Sequence, residues 1–331
     1  MGLSWRKFTA AAGLLVLLGA PVEASAVGCT TLAAMTSLDR NALMAAGGQL
    51  AVAVAQQDLG TLKAALLPAV ASDWEGMSSE AQAGALLMKG GQVKLRSLYL
   101  LDATSLTAPA NTQFFCSNEN GSITVTLTMS KLPPGRYALV LADGAGAPNA
   151  GQLGLILAWD QAANGWRLGG LSVRPGALDG HDGLWWWTQA RELAKEDQPW
   201  AAWYAYDTAR ALLSPVDFLS SPNLEKLNGE QAALQHTPPQ AFPLTLPDGA
   251  RTWKIDAVHL DLALLHPDLG VVYDSTGVAD PAAQRTEAYA VLSALLKAQP
   301  GLRMSFHGLW AYALKDGKPM PIIELAMAQI P

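Results

Sequence analysis

The hydrophobic pattern changes period several times along the chain, and the changes mark its parts. Ala10 to Ala20 is an unbroken apolar run (AAAGLLVLLGA) behind the cationic Arg6 and Lys7. Pro21 ends the run, and Ala24-Ser25-Ala26 supplies small residues of the kind a signal peptidase accepts. The run is too short to anchor a bilayer, so residues 1–26 read as a secretory signal peptide, with Val27 as the mature N-terminus. No second long apolar stretch follows. The mature chain is therefore expected to be exported and soluble, in the periplasm or outside the cell, with no membrane span.

From Leu32 to about Ala71 the period is helical, with Leu38, Leu43, Leu50, Val54 and Leu59 recurring among alanines. Asp58 is placed to cap a second helix and Pro68 to end or kink it. Ser78-Ser79-Glu80 predicts the start of a third, closed by Gly90-Gly91. After Gly91 the period becomes two. Val93, Leu95, Ser97, Tyr99 and Leu101 share one face of a predicted strand, and Ile123, Val125, Leu127 and Met129 alternate with hydroxyl residues in another. Pro133-Pro134-Gly135 and Asn164-Gly165 are turns between further strands. Helices followed by an antiparallel sheet predict an α+β domain over residues 27–177.

Residues 178–236 are helical again and rich in indoles: Trp185, Trp186, Trp187, Trp200 and Trp203. Trp186, Ala190 and Leu193 lie on one helical face. Asp197 is the expected cap, and Pro199 the first residue, of the next helix; Ser221-Pro222 begins a third. Residues 237–250, from Thr237-Pro238-Pro239 to Pro247-Asp248-Gly249, read as a linker. Residues 251–331 predict a β-β-α-β-β unit. Its strands are Trp253–Leu265, Gly270–Ser275, Leu302–Leu314 and Ile322–Ile330, and its helix starts at Asp280-Pro281.

Composition narrows the function classes. Half of the residues are hydrophobic and 15% are charged, enough apolar material for packed cores. Lys and Arg number 22 against 28 Asp and Glu, for a formal net charge of −6 with no basic cluster. Such a chain is a poor binder of nucleic acid or anionic lipid. The two cysteines, Cys29 and Cys116, are expected to pair in an oxidising compartment. The alternative is lipidation of Cys29 behind Ala26-Val27-Gly28.

The order of elements, together with the closing strand from Trp166-Arg167-Leu168 to Ser172-Val173-Arg174, resembles the NTF2-like family, in which N-terminal helices pack into a curved, cone-shaped sheet. That resemblance covers roughly residues 32–175 and implies either small-molecule binding, hydrolase or isomerase chemistry, or a structural role. The Trp-rich hairpin resembles a single tetratricopeptide (TPR) unit, with small and aromatic positions at Ala190, Ala202, Tyr206 and Ala209 and departures at Gln189 and Leu193. One such unit cannot bury its own face, so it is expected to brace neighbouring elements.

Candidate chemistry is sparse. All five histidines lie at or after His181, which leaves the first domain without the imidazole of a carboxylate–His pair. Asp73 and Glu75 flank Trp74, an aromatic wall of the kind that raises a carboxylate pKa, in a stretch that also reads as a solvated turn. His259 and Asp261 share one face of a strand, and His307 is the residue that would complete a metal set with them; hydrogen-bonded or surface groups are the simpler reading. His181 sits in a Gly-rich turn. Adjacent residues on a helix diverge by about 100°, so at least one of Trp185, Trp186 and Trp187 is expected to face another domain, a partner or solvent. No nucleotide loop, HExxH, GxSxG or CxxC motif occurs. The sequence therefore assigns no cofactor and no metal. It points to an exported binding or structural protein of the cell envelope, taking a small apolar ligand or a protein partner. The alternative is an exported hydrolase or isomerase with its site in the cone.

Overall fold

The computed structural model describes residues 27–118, 121–145, 150–249, 251–275, 277 and 280–331. The expected signal peptide lies outside them. The fold is α+β with several antiparallel sheets.

The N-terminal half opens with strand β1 (Gly28–Thr31). Helix α1 (Ser37–Ala55) follows, with the Thr36 hydroxyl accepting from the Asp39 amide. Asp58 caps α2 (Leu59–Ala64) as expected, and a 3-10 turn starts at Pro68. Helix α3 (Trp74–Met88) begins earlier than the predicted Ser78. Then come β2 (Gln92–Asp102), β3 (Ala110–Ser117), β4 (Thr124–Leu132), β5 (Arg136–Ala145), β6 (Gly151–Asp160) and β7 (Gly165–Pro175). A short ladder of β8 (Ala177–Leu178) and β9 (His181–Asp182) ends the half. The β6–β7 hairpin turns at Asn164, whose φ of 48° is the left-handed conformation the Asn-Gly pair foretells.

Among the described residues the main sheet has the order β1-β2-β5-β6-β7, and its pairs are antiparallel. The β3–β4 hairpin leaves that sheet and contributes to a second one, ordered β10-β4-β3. Helices cover one face of the main sheet: Leu43, Leu50, Val54 and Leu62 cluster with Val140 and Leu155. The second sheet covers the other face: Phe114, Cys116 and Leu127 cluster with Leu101, Leu139 and Leu141. Helix α3 approaches β7 so closely that a Cβ on Gly84 would lie 2.2 Å from Val173 Cβ. The expected disulfide is present. Cys29 on β1 and Cys116 on β3 are bonded with Cα atoms 5.1 Å apart, joining the two sheets. It also occupies the sulfur that lipidation of Cys29 requires.

One strand departs from the alternation read in the sequence. The β2–β5 register shifts between Leu95 and Ser97, leaving Arg96 as an extra residue. Val93, Leu95, Leu98 and Leu100 consequently pack with the helices, whereas Tyr99 and Leu101 enter the second core.

The C-terminal half starts with α4 (Gly183–Lys195) and α5 (Pro199–Leu213). Gln198, not Asp197, is the residue before Pro199 at the helix cap; Asp197 takes a φ of 57° in the turn. Next come β10 (Leu219–Ser220), α6 (Pro222–Ala232) capped by Ser221, and α7 (Pro238–Ala241). A sheet follows: β11 (Leu244–Asp248), β12 (Arg251–Asp261), β13 (Asp268–Asp274), helix α8 (Pro281–Ala298), α9 (Leu302–Ser305), β14 (Gly308–Lys315) and β15 (Lys318–Ala326). The expected linker is thus structured. It holds α7 and β11, which pairs with β12 from Leu244 to Asp248. Residues 302–305, expected in a strand, form a helical turn instead. The unit is β-β-β-α-β-β, with α8 as the crossover that lets β13 and β14 pair in parallel.

A single hydrophobic cluster joins the helical segment to this sheet. Trp186, Tyr204 and Ala209 belong to it with Trp253, Leu269, Leu292 and Leu309. The Tyr204 hydroxyl donates to the Val258 carbonyl at 3.0 Å, and its pKa is raised by burial. The helices also reach the other half. Val216 and Leu219 pack in the second-sheet cluster, Leu219 pairs with Leu127, and the buried Gln152 amide donates to the Leu212 carbonyl at 2.7 Å.

Candidate functional site

Side chains of one hydrophobic cluster pack between the two N-terminal sheets. Open volume is found at their rim. A cleft of about 490 Å³ runs between the β1–β2 edge and the start of β4. Leu32, Tyr99, Ile123 and Val125 give it apolar walls, with Thr31, Ser97 and Asn118 among its uncharged polar groups. Arg96, the bulged residue, is the one lining side chain that carries a full charge. Its guanidinium pairs with Asp143 at 3.1 Å. Ile123 is 55% exposed, and Phe115 on the outer face of nearby β3 is 63% exposed.

Asp73 and Glu75, the carboxylates beside Trp74, are both exposed at the start of α3. Trp74 instead takes the Lys63 ammonium 5.9 Å above its ring. The arrangement is a surface turn and supplies no enclosed acid.

The three consecutive indoles diverge as helical geometry requires. Trp186 is buried and stacks toward Phe306 of the C-terminal sheet unit, with centroids 6.2 Å apart. Trp187 is buried against α6: its indole N–H donates to Glu230 at 2.7 Å, and the Arg191 guanidinium lies 4.4 Å over its ring. Arg191 completes the cluster with two hydrogen bonds to Glu230, at 2.7 and 2.8 Å, which hold that carboxyl below its ordinary range. Only Trp185 of the three remains a surface group, 41% exposed, with His181 stacked on it at 3.7 Å and the exposed Leu184 beside it. Trp186 and Trp187 are therefore withdrawn from the expected interaction surface, because each fills a seam.

His259, Asp261 and His307 are not brought together as a ligand set. β13 lies between β12 and β14, so the strand bearing His259 and Asp261 does not neighbour the one His307 precedes. His259 lies against Gly270, and its partial desolvation lowers its pKa, with Asp261 opposing. Asp261 accepts from the Tyr312 hydroxyl at 2.6 Å. His307 turns to Asp268, with Nδ1 3.0 Å from Oδ1, and stacks on His266 at 4.1 Å. His266 in turn binds Asp179 at 2.6 Å.

Three residues that sequence reasoning passed over therefore matter here: His266, Asp268 and Glu324. Asp268 is 1% exposed, and its second oxygen accepts from the Trp310 indole at 3.3 Å. Glu324 pairs across the sheet with Trp310. The available signal was alternation in β14 and β15, which places Trp310, Tyr312 and Glu324 opposite the core face. The partner strand carrying Asp268 becomes known only from the register. No family model, curated protein or solved structure matches the chain.

Proposed function

We propose that this is an exported, soluble binding or structural protein of the cell envelope, with an NTF2-like N-terminal half and a TPR-like helical hairpin that braces it against the C-terminal sheet. The rim cleft takes a small apolar ligand or an apolar side chain of an envelope protein. The observation that carries this reading is the lining of that cleft: apolar walls, uncharged polar groups, and one guanidinium already paired with a carboxylate. Acid–base catalysis needs convergent titratable groups at the reacting atoms, whereas an apolar pocket with few polar groups is the ordinary form of a binding site. The disulfide and the lack, among the described residues, of a helix long and apolar enough to cross a membrane support export without a helical anchor. A second cleft, about 510 Å³, has charges that pair with one another, Arg174 with Asp217 and Arg210 with Asp207, and reads as a seam between the halves.

Native mass spectrometry of protein purified from the exported fraction tests the proposal. The expected spectrum contains an adduct that disappears in the Ile123→Asp variant. Turnover of an ester or ketone substrate panel that depends on cleft residues would instead establish the hydrolase or isomerase alternative.

A further inference from the structure

We propose that Asp268, His307 and Glu324 form a divalent transition-metal site at the end of the C-terminal sheet, with zinc as the ion that fits it. One ligand atom from each residue lies within 4.8 Å of the other two. The three come from separate places in the chain. Asp268 begins β13, His307 immediately precedes β14, and Glu324 sits on β15 opposite Trp310. The His307 amide donates to the Pro267 carbonyl and its carbonyl accepts from Met327, which fixes the loop between the two carboxylates.

Two independent observations favour a cation at this position. First, Glu324 Oε1 is a buried atom with no hydrogen-bond partner. Leaving a carboxylate oxygen dry and unpaired is costly. Second, no Lys or Arg among the described residues forms an ion pair with either carboxylate; the one ionic partner of Asp268 is His307. The space between the carboxylates exists because residue 308 is glycine. A Cβ there would lie 2.9 Å from Glu324 Oε1 and 3.1 Å from Asp268 Oδ1.

The donor set selects the ion. An imidazole with two carboxylates suits a borderline divalent metal, whereas calcium and magnesium prefer all-oxygen shells. Zinc bonds of about 2.0–2.2 Å require the three atoms to draw together. The His307 side chain is 38% exposed, so it can rotate from Asp268 toward the ion, and it provides the route of entry. Trp310 holds the far oxygen of Asp268, the kind of outer hydrogen bond that orients a metal-binding carboxylate. Three protein ligands leave a fourth tetrahedral position for water.

The test uses the full mature chain, stripped with a chelator and titrated with zinc(II) in a calorimeter, with cobalt(II) absorption as a second readout. The expected result is one equivalent bound and a melting temperature raised by saturating zinc. Glu324→Gln and, separately, the exposed-site variant His307→Gln should each weaken zinc binding by about tenfold or more, whereas His259→Gln should leave it unchanged. Absence of stoichiometric zinc binding would overturn the proposal. So would wild-type affinity in both ligand variants, or calcium bound in preference to zinc.

Discussion

The two large sheets of this protein each have five strands, wholly antiparallel in the N-terminal half and with one parallel pair in the C-terminal half, but they differ most in what covers them. The N-terminal sheet is buried on both faces, by helices on one side and by the β3–β4 hairpin on the other. Its central strands accordingly read as continuous apolar runs, Tyr137 to Ala142 and Leu153 to Ala158. The C-terminal sheet packs helices against the side bearing Trp253, Val271 and Leu309. Its other side carries His259, Asp261, Trp310 and Tyr312, linked by a hydrogen bond and ring contacts, with Glu324 opposite Trp310 in the register. A sheet covered twice has no face left for polar chemistry, so the binding proposed for the N-terminal half falls at its rim. A sheet covered once keeps a polar face on which carboxylates and imidazoles can converge.

Loss of a core side chain shared by helices and sheet should break this comparison most severely. Trp253 is 2% exposed in the joint cluster, and Trp253→Ala should cost about 3–5 kcal/mol. Because the cluster is continuous, chemical denaturation should show the helices and the C-terminal sheet unfolding together. A fragment of residues 183–234 should be largely unfolded by circular dichroism, since its apolar faces lose their partners. An independently stable helical fragment would contradict the shared core.

Reducing the disulfide should act on the other half. Cys29 and Cys116 are 87 residues apart, and closing a loop of that size is worth about 4.6 kcal/mol in the chain-entropy model. Thermal melts with and without reductant should therefore separate the halves, with the N-terminal transition moving down. Equal sensitivity of both halves would mean that the contacts of Val216 and Gln152 couple them into one unit.

Smaller effects follow from charge. Glu230→Gln should cost about 1 kcal/mol, since it weakens the charge-assisted bonds from Arg191 and Trp187 while Arg191 remains partly solvated. The Glu230 pKa is lowered from its ordinary 4.5, chiefly by the Arg191 hydrogen bonds. Its stabilising contribution is therefore present above pH 4.5 and is lost as pH falls through the lower folded value. Melting curves across that window should be flatter in the variant. His259 gives the smallest effect. Desolvation depresses its pKa from 6.5, so the neutral form is favoured in the folded state. Stability should decline on acidification below about pH 6.5, and His259→Gln should remove that part of the decline.

Local chemistry made much of this fold readable. Asp58, Ser221 and Asp280 announce helix starts, Asn164-Gly165 a hairpin, and two cysteines in a chain expected to be exported their own bridge. What escaped reading depends on neighbours distant in sequence. Pro247 made residues 244–248 look like a linker, yet β11 is an edge strand, where proline is tolerated. The prolines at 319 and 321 sit in β15, the opposite edge, for the same reason. The bulge at Arg96 leaves no compositional mark, although it decides which residues of β2 face the cleft. Asp268 and Glu324 are 56 residues apart in sequence and meet only through the parallel pairing of β13 with β14 and the return of β15. No spacing rule relates them, whereas His259 and Asp261 drew attention through a proximity along one strand that the sheet does not extend to His307.

The claim that the rim cleft is the binding surface is tested most directly by titrating the mature protein with an apolar fluorescent probe, 1-anilinonaphthalene-8-sulfonate, beside the Ile123→Asp variant. Ile123 is exposed and lines the cleft, so the substitution places a charge on the apolar wall without opening a core. The account predicts saturable one-site binding in the wild type and its loss in the variant, at unchanged melting temperature. Equal binding by both proteins, or none by the wild type, would contradict it.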